Sequence, residues 1–369
     1  MSVSSDAARS AGLSQVEWLG PLRQIGLDPG ALLERIASVA QDVRAELARS
    51  GTPDSVDTFD LITLPYPTRF GLWRAARTPS PFLAITNRML VVRWTESDGR
   101  TRTLLFEPSD VELGAKTPYF AALLARTPGV VAKAMGTQHG DVLGHLRAAG
   151  IDPAEVDYLA FDHLHTQDVR RWVGTITARP DLGAERPIEP AFPKARLLVQ
   201  RAELEALTHL HPQQRPWYQP ATYRDLRPEA IAPLDGDVLV GPGVALISTP
   251  GHTTGNQTLV LNTASGIWAS SENAIAAECL VPEHSKVPGV ARWARTWGQE
   301  VVVNANTIES IAVQYNSVIL ERALVDPSSR DERFSQFFPS SELTGRWTNP
   351  GTAPTFVHER ITHRKSATS

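Results

Sequence analysis

A single cysteine, Cys279, serves the whole 369-residue chain. No intrachain disulfide can therefore cross-link the fold, and a cytoplasmic setting is expected. No run approaches the roughly 18 consecutive apolar residues that a membrane-spanning helix needs. The opening MSVSSDAARSAGLSQVEW also lacks the basic start and apolar stretch of a signal peptide. Charge of neither sign dominates, since 36 Lys and Arg stand against 40 Asp and Glu for a net charge of -4. Without a basic run, neither a nucleic-acid partner nor an anionic membrane surface is expected. The parts of several familiar catalysts are missing too. There is no G-x-S-x-G elbow, no Walker loop, and no G-x-G-x-x-G after a strand, which argues against serine hydrolases, nucleotide hydrolases and dinucleotide enzymes.

What remains is an ordinary globular composition, 42% hydrophobic and 21% charged, in a chain long enough for a large core. Residues 1–55 read as an N-terminal helical extension. Leu32, Leu33, Ile36, Val39 and Val43 recur at three- and four-residue spacing between Pro29 and Gly51. Such an extension either covers the main body or builds a homodimer interface. From residue 56 to 325 the pattern is strand-rich. FDLITLPYP, PFLAITNRMLVVRWTE and TRTLLFEPSD predict successive antiparallel strands, YFAALLAR and GDVLGHLRAAG predict helices, and QTLVLNTASGIWAS predicts a hairpin. EVVVNANTIESIAVQYNSVILERAL predicts a last strand leading into a helix. Residues 326–369, polar and rich in Pro and Ser, are expected as a loop-rich tail. Two β-rich halves mixed with helices predict an α/β, αββα sandwich.

Chemistry enters at FDHLHTQDVR, residues 161–170. On an extended strand, residues i and i+2 point to one side, so His163 and His165 can face one ion. A third imidazole is available from His252 in STPGHTTGN, also at the end of a predicted strand. Neutral imidazoles suit zinc or a similar borderline metal, and a catalytic site keeps one position open for water.

On these segments the chain resembles the metallo-β-lactamase superfamily over roughly residues 58–325. That family carries H-x-H-x-D-H after a buried strand and a third histidine in P-G-H-T-x-G. Here DHLHTQD and TPGHTTG supply the matches, with LLFEPSD, AGIDPAEVDYLAFDHLH and SGIWASSENAI in the places of further family segments. The resemblance implies a first metal site of His163, His165 and His252. It also implies that a second site has lost its usual ligands. Gln167 and Asp168 replace its D-H, Glu272 or Asn273 replaces its bridging Asp, and Asn306 in VVNANTIES replaces its final His.

The implied activity is that of a metal-dependent hydrolase using metal-bound hydroxide on an ester, lactone, amide or thioester bond of a small substrate. One zinc ion is expected rather than two, with iron or manganese as alternatives. Glu272 would complete the site or act as a base. Asp168 would be a ligand or general base, unless it caps a helix starting at DVRRWVG. Gln167, His284 and Asn306 are the candidates to touch substrate. Trp172, Trp217, Tyr218, Trp268, Trp293 and Trp297 are either pocket wall or core. Two other readings compete. One is a mononuclear iron oxygenase with His163, His252 and Glu272 as its facial triad. The other is a non-catalytic member with an eroded site.

Overall fold

The computed structural model describes residues 11–23, 28–126, 136–219, 221–305, 310–347 and 349–365. Among them the strands, in chain order, are β1 (Ser14–Val16), β2 (Ser55–Pro67), β3 (Phe82–Thr95), β4 (Thr101–Phe106), β5 (Thr137–Gln138), β6 (Tyr158–Ala160), β7 (Ala178–Arg179) and β8 (Ala184–Pro187). They continue with β9 (Arg196–Gln200), β10 (Ile231–Leu234), β11 (Asp237–Gly241), β12 (Val244–Ser248), β13 (Gln257–Thr263), β14 (Gly266–Ser270), β15 (Ser341–Thr344) and β16 (Thr362–Arg364). The helices that matter below are α1 (Pro29–Ser50), α2 (Pro118–Arg126), α3 (Val142–Ala148), α4 (Arg201–Thr208), α5 (Val290–Trp297) and α6 (Ile311–Leu324).

Two sheets face each other. The smaller runs β1-β11-β12-β13-β14 and is antiparallel throughout. The larger runs β10-β9-β6-β4-β3-β2-β16, with β15 also on β3 and β5 also on β2. Its β4-β6-β9-β10 half is parallel, and parallel neighbours need long crossovers, here carrying α2, α3 and α4.

Period-two alternation builds the layers. In β3, Leu90, Val92 and Trp94 enter the core between the sheets, while Met89 and Val91 face the outer core with Leu146 of α3 and Leu207 of α4. In β12, Val244 and Leu246 meet β3 and β4 between the sheets, whereas Ala245 and Ile247 face α1 and α6. With helices outside both sheets, the architecture is the expected αββα sandwich. A one-residue slip of β3 would exchange its two apolar faces, so the register is fixed by both cores together.

Asp28 caps α1, accepting from the Ala31 amide at 2.9 Å, with Pro29 in the first turn and Gly51 (φ 114°) ending the helix. Its stripe of Ile36, Val39, Ala40, Val43 and Leu47 is buried in the cluster that holds Val318, Ile319 and Leu324 of α6.

Three expectations need correction. Residues 1–55 are not all helical, because β1 adds an edge strand to β11. Residues 326–369 are not a loop-rich tail alone, since β15 pairs with β3 and β16 with β2. Finally, the strand expected at 301–305 is an extended but unladdered segment. Its amides reach separate partners: Val302 donates to Cys279 O, Asn304 to Asn273 O and Ala305 to Phe70 O.

Candidate metal centre

The C-terminal ends of β6 and β12 deliver the three histidines to one edge of the sandwich, where the Gln257 amide at the start of β13 donates to Asp162 O at 2.8 Å. One donor atom from each of His163, His165 and His252 lies within 4.8 Å of the others, and all three side chains are buried. Ring centroids are 4.5 Å apart for His163–His165 and His163–His252, and 5.1 Å for His165–His252. This spacing lets three nitrogens converge on one ion.

Each ring is held by its other nitrogen. His163 Nδ1–H donates to Asp162 Oδ1, and His252 Nδ1–H donates to the Asn304 carbonyl at 2.7 Å. His165 Nε2–H donates to Gln214 Oε1 at 2.6 Å, which leaves Nδ1 as its lone-pair nitrogen. His163 Nε2 and His252 Nε2 are buried without a hydrogen-bond partner. A buried nitrogen left unpaired is costly, and a metal ion would satisfy both at once. The residues therefore fit the metal that their spacing implies, with the outer-shell anchors such ligands usually have.

Behind the rings, Glu203 of α4 ties the two histidine segments together. Its Oε1 accepts from the Leu164 amide (2.9 Å) and Tyr218 hydroxyl (2.7 Å), and its Oε2 from the Thr253 hydroxyl (2.7 Å). Gly251 is required before His252. At φ 143°, a Cβ there would stand 2.2 Å from the Gln314 Cα on α6. Gln314 in turn donates to the Asn304 carbonyl that anchors His252, at 2.6 Å.

Electrostatics separate the three rings. For His163, burial opposes the charged form, but the Asp162 carboxylate outweighs it and lifts the pKa to about 9. Burial and the neighbouring His163 charge press His252 down to about 3, and burial with both neighbouring rings presses His165 down as well. The cluster thus tolerates one positive charge, centred on the ring with a carboxylate behind it.

No family model matches the sequence. Part of the chain is similar to an N-acyl homoserine lactonase of a Bacillus species, 28% identical over 133 residues. An N-acyl homoserine lactonase of Bacillus thuringiensis is 26% identical over 127 residues. In both cases the match spans 34% of this chain and 41% of the relative's length. Among solved structures, AidC, a dizinc quorum-quenching lactonase in complex with a product, is 13% identical over 86% of this chain and 97% of its own, with a TM-score of 0.46. A hydrolase in the beta lactamase superfamily is 12% identical over 85% of this chain and 96% of its own, with a TM-score of 0.41. The two-sheet sandwich with helices on both outer faces and the histidine triad at one edge decide the fold. It is the αββα sandwich that the resemblance to the metallo-β-lactamase superfamily implied.

The positions that the resemblance assigned to a second site diverge from it. Asp168 does not join the histidines: both its oxygens are taken by the buried Arg170 guanidinium, and Oδ1 also accepts the Arg170 amide at 3.2 Å. A buried guanidinium needs a counter-ion, and the nearest carboxylate provides it. Gln167 borders the site, its Nε2 donating to Ser109 Oγ at 2.9 Å and to Glu107 Oε2 at 3.4 Å. Of the two candidates after β14, Glu272 faces the cavity while Asn273 turns inward to the Thr249 carbonyl and Glu321. Burial lifts the Glu272 carboxyl to about 7, against the opposing pull of His163. His284 does not line the pocket: it is 40% exposed on the side chain, beside Glu283 and Phe334. Asn306 lies outside the described residues. Asn304, not singled out in the sequence, donates to Glu272 Oε1 (3.2 Å) and accepts from the Tyr66 hydroxyl (2.9 Å).

A cavity of about 170 Å³ opens over this floor. Its polar side carries His165, Gln167, Glu272 and Ser341, and its walls are Ile62, Leu64, Ile85, Phe120, Leu124 and Trp217 among others. Of the six aromatics expected as wall or core, Trp217 lines the cavity. Tyr218 packs its ring on His165 at 4.6 Å, Trp172 is core, and Trp297 is 68% exposed. His358 and His363 are buried.

Asp162, Gln214 and Glu203 escaped the sequence reading. For Asp162 a signal existed: it directly precedes His163. Gln214 and Glu203 come from distant segments and carried none.

Proposed function

We propose that this chain is a metal-dependent hydrolase of small lactones or esters bearing an apolar acyl group. The observation that carries this reading is the pair of unpartnered, buried imidazole nitrogens on His163 and His252, set beside a mostly apolar cavity. The similarity of part of the chain to N-acyl homoserine lactonases points the same way.

His163, His165 and His252 would hold one divalent ion, zinc first among the candidates. When bound, such an ion supplies Lewis acidity toward a carbonyl and lowers the pKa of a water to about 7. Glu272 faces the cavity at the same floor, and a carboxyl lifted toward neutrality by burial is suited to taking and returning a proton. Asn304 orients that carboxylate through its side-chain amide. Gln167 lines the cavity with its amide held by Ser109 and Glu107, and the walls around Phe120 and Trp217 exclude water from an acyl chain. Three clustered imidazoles favour zinc-type hydrolysis over a facial triad of two histidines and a carboxylate, which would leave His165 without a role. The cavity at the triad favours catalysis over a purely structural site.

The test is hydrolysis of a panel of N-acyl homoserine lactones and simple aryl esters by the purified protein. Turnover should be lost with a strong chelator, return with zinc, and fall about a hundredfold or more in His252→Ala. Turnover unaffected by both chelator and His252→Ala would refute the reading.

A further inference from the structure

Three segments far apart in sequence meet on one face of the molecule. The Arg77 amide donates to Pro288 O, Thr78 Oγ1 to Pro350 O and the Lys286 amide to Thr355 Oγ1, while a Cβ at Gly351 would be 3.7 Å from Pro288. All three are free of acid: no Asp or Glu occurs in residues 61–95, 284–299 or 343–358. Arg69, Arg74, Arg77, Lys286, Arg292 and Arg295 are all exposed there. None of these six takes part in an ion pair among the described residues. Of the six acids that border the segments, Asp60 and Glu342 point to Arg88, Glu96 to Arg102, Glu300 to Arg322 and Glu359 to Arg330, and Glu283 stands beside His284. In a chain of net charge -4, this is a strong segregation of charge.

The same three segments carry the two most exposed large apolar side chains among the described residues, Trp347 at 92% and Trp297 at 68%. Two indole rings standing in water on segments that also carry exposed arginines suit an interface with an amphipathic partner. A second copy of the chain is a poor occupant, because a symmetric contact would set these cations against themselves. Duplex nucleic acid would reward the cations but offers two protruding indoles no unstacked base. At a lipid headgroup layer both find partners: arginines the anionic headgroups, tryptophans the polar–apolar boundary.

We propose that this face docks peripherally on an anionic lipid bilayer. This runs against the expectation of no anionic membrane surface, which rested on the absence of a basic run; folding gathers charge from separate segments. The face adjoins the site, for Tyr119 borders the groove beside Arg69 and stacks on Trp217 at 4.3 Å. The inference stands on charge and exposure and is independent of the hydrolase reading.

Cosedimentation of the full chain with vesicles tests it, comparing phosphatidylcholine alone with phosphatidylcholine containing about a quarter phosphatidylserine. Binding should require the anionic lipid and weaken steeply as salt is raised. Each neutralised cation should weaken it about fivefold, so Arg74→Gln/Arg292→Gln should lose about 25-fold. Trp297→Ser/Trp347→Ser should weaken binding while keeping its salt dependence. Circular dichroism of these exposed-site variants confirms folding. No binding at low salt, equal binding to neutral vesicles, or no change in the arginine variant would overturn the proposal. So would a lipid-independent dimer that both variants abolish, or binding to a DNA oligonucleotide in preference to the vesicles.

Discussion

Both carboxylate oxygens of Asp168 accept from the guanidinium of Arg170, Nε–H to Oδ1 at 2.9 Å and Nη2–H to Oδ2 at 2.6 Å. The pair is fully buried. A carboxylate so engaged offers nothing to a cation, and the fixed positive charge beside it repels one. With Gln167 neutral and Asp168 paired to Arg170, the place that the resemblance assigned to a second ion holds an internal ion pair.

Removing one member of that pair should therefore damage the fold and spare the first metal site. Arg170→Met strands a buried carboxylate and should cost about 3–5 kcal/mol in urea unfolding. Asp168→Asn should leave metal content per folded chain unchanged. A loss of metal in Asp168→Asn would return that residue to the ligand set.

Asp162 should govern metal affinity without being a ligand. It fixes the His163 tautomer and is itself held by the Ser340 hydroxyl at 2.6 Å. Asp162→Asn should weaken metal binding about 10–100-fold in competition with a chromophoric chelator. Unchanged affinity would mean that the ring needs no orienting partner.

Glu321 should make stability fall as pH rises. Burial lifts its carboxyl from 4.5 to about 7, and Thr258, Ser271 and Asn273 bond to Oε1. Between those values the folded chain keeps a proton that the unfolded chain has released. The group's contribution is thus fully present below about 4.5 and lost as pH climbs through 7, by about 3 kcal/mol in all. Glu321→Gln should be more stable than the parent at pH 8 and show a flatter profile. Parallel profiles for the two proteins would remove Glu321 from the account.

Chain-length preference should follow the cavity wall. Phe120→Ala removes an apolar surface from the lining. At about 0.8 kcal/mol per buried methylene, KM for long acyl substrates should rise several-fold while short ones change little. An equal effect on all chain lengths would place the acyl group elsewhere.

Much of this was legible in the sequence because it depends on local periodicity. Asp28, Pro29 and Gly51 bounded α1, and alternation in β3 and β12 gave strands with two buried faces. His163 and His165 at i and i+2, with His252 after Pro-Gly, gave the triad. The rest depends on tertiary neighbours. Arg170 lies two residues from Asp168, yet their pairing follows from burial that no periodicity announces. Asn304 went unread because its segment is extended and pinned by single hydrogen bonds, with no ladder to fix a register. β15 and β16 are too short and polar to declare themselves until β3 and β2 supply their partners.

The central claim is one ion on three histidines, and elemental analysis of the protein purified without added metal tests it most directly. About one zinc per chain in the parent, and none in His252→Ala, is the predicted result. Two ions per chain, or full occupancy in His252→Ala, would contradict it.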